Sequence, residues 1–369
     1  MPKIALYLAG GGARGAYQAG VLKAICEILN VKKLPFSMVT GVSIGSINAA
    51  IIAQHADDFQ TGINKLEDLW SNIQCKDIFK TSNYQLSKSV FRNLSHLIIK
   101  HSQSGHLLDT TPLHKFISDN IDFAKIQANI EAHLLETMEV ITNCYETQQT
   151  ISFYQHDQPY FDDWKYPRHQ SIRTVLQQEH LLASSALPLF FPTITIDSLH
   201  YGDGGLGLVA PLRGAVRFNV EKILILDTRQ SAGFPTRTQT EFGDIGFANI
   251  LGSMLNGLFL DNLDRDIEMV SRMNEITRLL SLWKKRYSPW RPIETLHLLP
   301  SVSIAEMAQA HYLTMPTLLR ILLNVLGAQS NAGNLLSFLL FEKEFTRELL
   351  SVGYEDTLRV SPQINAFFA

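Results

Sequence analysis

Hydrophobic and polar positions fall into blocks along this chain, and the blocks predict strands and helices in alternation. Residues 3–9 form a short apolar run that stops at a glycine cluster, the mark of a buried strand. From about Ala16 to Leu29 the apolar positions Val21, Leu22, Ile25 and Ile28 recur at helical spacing. A second apolar run, residues 36–42, leads through Gly41-Val42-Ser43-Ile44-Gly45 into an Ala-rich apolar segment, an order that reads strand, sharp turn, helix. Residues 59–79 have the mixed periodicity of a surface helix that turns Leu66, Leu69, Trp70 and Ile73 inward.

Further along, residues 81–106 are polar, Ser-rich and sprinkled with histidine, which fits a connection or a cover over a site. Thr110-Thr111-Pro112-Leu113 opens a helix with proline at its start. The β-rich runs 139–145 and 150–155 are separated by four polar residues, as in a hairpin. Residues 231–369 read as mostly helical. There Phe247, Ile250, Leu251, Met254, Leu255, Leu258 and Phe259 keep amphipathic spacing, and Met269, Met273 and Ile276 extend an apolar face expected to pack as core.

Composition narrows the functional classes. At 369 residues, 46% hydrophobic and 18% charged, the chain is long enough to bury a sizeable core and length alone suggests about two domains. A net charge of -3 with mixed signs gives no polyelectrolyte signature, so nucleic-acid binding is not indicated. Cys26, Cys75 and Cys144 lie far apart without paired spacing, which suggests neither a zinc site nor a disulfide framework and makes a reduced, cytoplasmic setting the default. The first residues lack the apolar region and cleavage site of a signal peptide, and the uncharged stretch 245–260 is too short and too rich in Gly and Asn for a clean membrane span. A soluble protein is expected, with export by a route that reads no N-terminal signal left open.

The chemistry concentrates at two glycine-bearing turns. A serine between glycines two before and two after can stand on a strained elbow, because the bare Cα atoms let strand and helix approach closely; this makes Ser43 a candidate nucleophile. The same five residues also fit an ordinary Gly-Ser turn, and the flanking strand and helix are what favour the elbow. Gly10-Gly11-Gly12-Ala13-Arg14-Gly15 follows a strand and precedes a helix, so it fits either a dinucleotide fingerprint or an oxyanion hole of free N–H groups. The acid that would hold a ribose about twenty residues on is missing from residues 31–36, which favours the oxyanion reading. Arg14 beside this loop is a candidate contact for a substrate phosphate or carboxylate, or else a pin that holds the loop.

Asp203, in Gly202-Asp203-Gly204-Gly205, follows a predicted strand. A Gly-Asp-Gly-Gly segment is by itself a turn, but a serine nucleophile needs a proton acceptor, and a carboxylate within reach can serve without a histidine. A Ser-His-Asp triad on an α/β-hydrolase scaffold is the competing arrangement; the histidines after Asp203 are His297, in an apolar strand-like run, and His311, in a helical region.

Taken together, GGGARG at 10–15, GVSIG at 41–45, ASSALPLFFP at 183–192 and DGG at 203–205 resemble the patatin-like phospholipase family, in the right order. The resemblance runs on through a strand-like segment at 220–227 and touches residues 345–356, which are similar to a C-terminal segment of bacterial members. It implies an α/β, three-layer fold with a mainly parallel central sheet, carried by residues 1–230 as a catalytic domain, with 231–369 as a helical C-terminal extension. It implies hydrolysis of phospholipid or other acyl-lipid esters through a Ser43–Asp203 dyad and an acyl-enzyme. Gly10, Gly11, Gly12 and Ala13 would form the oxyanion hole, Gly41, Gly45, Gly204 and Gly205 would be structural motif positions, and no metal or cofactor would be needed. A non-catalytic lipid- or protein-binding module on the same fold is the alternative. Peripheral membrane contact is expected at 245–260 and at Trp283–Arg291, where four cations interleave with three aromatics; the latter also fits a solvated loop. Any protein partner is left open.

Overall fold

The computed structural model describes residues 2–81, 106–158, 162–229, 247–281, 283, 288, 290–325 and 333–369. Among these residues ten strands form one sheet: β1 (Ile4–Leu8), β2 (Met38–Val42), β3 (Thr137–Cys144), β4 (Gln149–His156), β5 (Lys165–Tyr166), β6 (His169–Arg173), β7 (Ile194–Ile196), β8 (Leu199–Asp203), β9 (Lys222–Leu226) and β10 (Glu294–Leu298). The run β10-β9-β1-β2-β3 is parallel throughout, and the sheet continues through β4 and β6 to β5. Parallel strands need crossovers that cover both faces, and β1, β2 and β9 are accordingly apolar along almost their whole length rather than alternating.

On one face Leu6, Leu8, Val39, Val140 and Leu224 meet Val21, Leu22 and Ile25 of α1 (Gly15–Leu29), Ile47 and Ile51 of α2 (Ile44–Ala53), and Ile63 and Leu66 of α3 (Phe59–Asn72). On the other, Tyr7, Met38, Ile141, Ile223 and Ile225 pack with Phe218, Leu263 and Val270. This is an α/β fold of helix, sheet and helix layers with a mainly parallel central sheet.

Three local outcomes differ from the periodicity. The helix expected over 59–79 stops at Asn72: Ile73 is extended, and Gln74 restarts a short helix, Cys75–Ile78, through a reciprocal cap with Asp77. β10, from the last third of the chain, joins the edge of the sheet beside β9. In the 33-residue helix Phe247–Leu279, Leu251, Leu255, Leu263, Val270 and Thr277 are buried, whereas Ile250, Met254, Met269 and Ile276 meet solvent rather than core. The expected cover at 81–106 lies outside the described residues except at its two ends, and of the basic-aromatic cluster at 283–291 only Trp283, Ser288, Trp290 and Arg291 are described.

Two helices near the C-terminus complete the first layer. Lys343–Arg359 lies along α1 and buries Phe345, Leu349 and Leu350, while Gly333–Leu339 buries Leu335, Leu336, Phe338 and Leu339 next to the Gly-rich turn after β1.

Candidate active site

β2 ends at Val42, and α2 begins at Ile44, leaving Ser43 alone between them with φ 54° and ψ -130°. Few non-glycine residues hold a positive φ, and here neighbouring bonds fix it: Ser43 N–H donates to Ser184 Oγ at 2.9 Å, and the Ser43 carbonyl accepts from Ser46 N–H and Ser46 Oγ. Gly41 and Gly45 make the turn this tight. A Cβ on Gly41 would stand 2.3 Å from Ser46 Cα, and one on Gly45 2.2 Å from the Leu8 carbonyl oxygen, so any side chain at either position would push α2 off the sheet.

β3 supplies the ruler that brings Asp203 to this elbow. Its residues 137–141 pair in parallel with β2, whereas 142–144, beyond the end of β2, pair antiparallel with β8. Because β4 occupies the other edge of β3 over its full length, β2 and β8 share one edge and meet end to end. Val42 faces Ile141 and Asp203 faces Thr142, so Ser43 and Asp203 leave the two strand ends at a common point. Ser184 clasps the junction: its Oγ accepts from Ser43 N–H and donates to the Ile141 carbonyl, while Asp203 N–H donates to the Ala186 carbonyl.

The Asp203 carboxyl is fully buried. Oδ1 accepts from Gly205 N–H at 2.9 Å, and Oδ2 lacks a hydrogen bond of normal length and angle among the described residues. Burial pushes its pKa up to about 7, against the lowering effect of the Ser43 hydroxyl and the Gly205 N–H. The Ser43 hydroxyl is thus near enough to this carboxyl to favour its charged form. A carboxylate titrating near neutrality beside a serine hydroxyl can accept its proton.

The Gly-rich turn lies on the other flank of Ser43. Gly10 packs against Ser43, with a Cβ there placed 3.1 Å from Ser43 Cβ, and Gly11 and Gly12 border the same cleft. Gly12 has φ 58°, and a Cβ on it would meet the Phe338 carbonyl oxygen at 2.1 Å. The Thr228 hydroxyl donates to the Gly10 carbonyl, which holds the start of the turn. Gly12-Ala13-Arg14 form one turn of 3-10 helix, and the first N–H groups of such a turn have no partner within it. Arg14 is buried, and its guanidinium binds Ser337 Oγ through Nε, the Asn334 carbonyl through Nη2, and the Phe338 ring at 4.2 Å. Burial lowers its pKa to about 9.

Ser43 opens into a cleft of about 440 Å³, counting its open mouth, whose walls are otherwise apolar: Ile44 and Ile47 of α2, Ile78, Leu113, Leu187, Phe191, Phe338 and Phe341. The polar lining is Gly11, Gly12, Ser43 and Ser185. Neither histidine weighed for a triad borders it: His297 Nε2 faces Asp227 Oδ2 at 3.1 Å, and His311 Nε2 faces Glu348 at 2.6 Å. Although burial pushes Asp227 up, His297 and Arg229 hold its carboxyl below the usual range, as in a structural ion cluster. Among the described residues no three His, Cys, Asp or Glu side chains come together as metal ligands do.

Several of these residues escaped the sequence. Ser184 and Ser185 stand inside the motif at 183–192, yet nothing in its sequence distinguishes a clasp from a lining hydroxyl. Phe338 and Phe341 reach the cleft only through tertiary packing. So does the buried chain in which Asn48 donates to Gln18 Oε1 and accepts from Trp70 Nε1, tying α1, α2 and α3 together beneath the elbow.

A family model described as patatin-like phospholipase matches residues 6–216. A lysophospholipase from Aspergillus terreus is 44% identical over 54 residues, 15% of this chain and 3% of its own length. One from Mycosarcoma maydis is 28% identical over 117 residues, 29% of this chain and 6% of its own. The chain thus matches only a small part of these relatives. Among solved structures, human GIVD cytosolic phospholipase A2 is similar at a TM-score of 0.47 and 11% identity over all of this chain and 60% of its own. VipD from Legionella pneumophila is similar at 0.42 and 13%, over 98% of this chain and 67% of its own.

Proposed function

The chain belongs to the patatin-like phospholipase family, and from that premise we propose that it hydrolyses acyl-lipid esters at Ser43 with Asp203 as its base. One observation carries the reading: a serine on a strained strand-to-helix elbow faces an apolar cleft with its side chain against a buried carboxyl that titrates near neutrality. Ser43 Oγ attacks the ester carbonyl carbon as its proton passes to Asp203. The carbonyl oxygen, now negative, is held by N–H groups of the Gly10–Ala13 turn. The C–O bond to the alcohol then breaks, and Asp203 returns the proton to the departing oxygen, leaving an acyl-enzyme. Water next gives a proton to Asp203 and attacks the acyl carbon, and Ser43 leaves protonated with release of the fatty acid.

The apolar walls support a fatty-acyl rather than a small polar substrate, because a chain gains about 0.8 kcal/mol for each CH₂ it buries. Arg14 fits a positioning role, since its hydrogen bonds run to the helix Gly333–Leu339.

Peripheral membrane contact belongs to the same proposal. No helix among the described residues is long and apolar enough to cross a membrane. Ile250 and Met254, one turn apart and 48% and 56% exposed, support shallow insertion, and Lys284, Lys285 and Arg286 would add attraction to anionic lipid. A cytoplasmic setting is supported by three buried free thiols. Labelling with a fluorophosphonate serine probe, followed by a panel of phospholipids, lysophospholipids and neutral esters, tests the reading. Wild-type protein that neither labels at Ser43 nor cleaves any member of the panel would refute it. For the membrane part, changing the three cations to Gln should weaken binding to anionic vesicles, most at low salt.

A further inference from the structure

We infer that the Ser185 hydroxyl is a substrate-binding group, donating a hydrogen bond to the bridging oxygen of the scissile ester as that oxygen takes up charge and departs. This rests on the acyl-transfer reading of Ser43 and Asp203 and adds a residue to it.

Ser185 is 7% exposed, it borders the cleft, and its Oγ has no hydrogen-bond partner among the described residues. Its backbone, by contrast, is fully engaged: the N–H donates to the Leu181 carbonyl at 3.0 Å, ending the helix Gln178–Ser184, and its carbonyl accepts from Leu187 N–H at 2.9 Å. The hydroxyl is thus carried on a fixed frame. A buried hydroxyl without a partner is unfavourable, and the flanking positions 183 and 186 are alanine, the residue that would remove that cost. Its neighbour Ser184 shows the contrast, with both hydrogen-bonding capacities of its hydroxyl used on Ser43 and Ile141.

The position explains the chemistry. Ser43 follows β2, the Gly-rich turn follows β1 on one side of it, and Ser184–Ala186 is clasped to β3 and β8 on the other. An ester presents two oxygens, and the cleft has polar groups on both flanks of the nucleophile. With the carbonyl oxygen at the Gly-rich turn, the bridging oxygen falls to the Ser185 side. As the C–O bond breaks, the electron pair stays on that oxygen; Ser185 donates a hydrogen bond to it and keeps its own proton, while the proton that completes the alcohol comes from Asp203.

Leaving-group strength separates this role from the others. Matched acyl esters of p-nitrophenol and of a simple alkyl alcohol are compared in wild type, Ser185→Ala and Ser185→Thr. A phenolate leaves without help and an alkoxide does not, so Ser185→Ala should lower kcat/KM about 30- to 100-fold for the alkyl ester and about tenfold less for the aryl ester. Ser185→Thr, which keeps the hydroxyl, should bring the alkyl-to-aryl ratio back toward wild type. The Tm of Ser185→Ala should be unchanged or higher, because no protein hydrogen bond is removed. An equal loss on both esters, no loss on either, or a lowered Tm overturns the assignment while fluorophosphonate labelling of Ser43 persists. Absence of that labelling in wild type overturns acyl transfer at Ser43 and this inference with it.

Discussion

Val42 and Asp203 face consecutive residues of β3, Ile141 and Thr142, although 160 positions separate Asp203 from the serine that follows Val42. The proximity of Ser43 and Asp203 is therefore a matter of strand register. Ser43→Ala should abolish ester hydrolysis, and Asp203→Asn should lower kcat by about 10²- to 10⁴-fold, since an amide keeps the shape but cannot take the proton. Circular dichroism of both variants should match wild type; full turnover in either purified protein would remove that residue from the mechanism.

The pH dependence has a definite sign. With Asp203 acting as base and titrating at about 7, kcat/KM on a soluble ester should rise with pH through about 7 and then level off. A profile that falls across this range would exclude a carboxylate base.

Stability should move the opposite way. Burial pushes Glu139, on β3 beneath the site, up to about 7, with Thr40 and Ser152 lowering it less. Asp203 is raised to a similar value. In the unfolded chain both release their protons near pH 4, so between about pH 4 and 7 the native state binds more protons, and stability falls as pH rises. Glu139→Gln should remove one share of this loss, making the protein about 3 kcal/mol more stable than wild type at pH 8 and no different below about pH 4. Urea denaturation at the two pH values checks it.

Arg14→Lys should lower cleavage of a phospholipid and of an uncharged short-chain ester by the same factor, about tenfold, because a lysine cannot reproduce the Ser337, Asn334 and Phe338 contacts that hold the loop. Loss confined to the phospholipid would instead assign Arg14 to head-group recognition.

Gly12→Ala tests the turn itself. The added Cβ meets the Phe338 carbonyl and the φ of 58° is strained for alanine, so stability should fall by about 1–3 kcal/mol and activity by a larger factor than stability explains. Thermal melts and ester turnover on the same preparation separate the two effects.

Much of this was legible along the chain. The strand, elbow and helix at 38–53 are encoded locally, since buried parallel strands read as continuous apolar runs and the glycine spacing dictates the turn. The hairpin of β3 and β4 was equally visible in its polar gap at 146–149. The meeting of β2 and β8 on one edge of β3 was not, because pairing over 160 residues leaves no periodic trace, and it entered only through resemblance. The exposed face of the helix 247–279 was misread for a related reason: amphipathic spacing shows that a helix has an apolar stripe, whereas which neighbours arrive to cover it is decided elsewhere in the chain.

The contact of Gly12 with Phe338 also sets a moment in the life of each molecule. The serine elbow and the glycine turn are made some three hundred residues before Phe338, Phe341 and the anchor for Arg14. At about 5–20 residues per second, a nascent chain spends about 15–60 seconds carrying Ser43 while the cleft beside it lacks a wall. Under the proposed chemistry, competence for ester cleavage waits on residues 333–341, so a chain stalled or cut before residue 333 should be inert rather than an unregulated lipase.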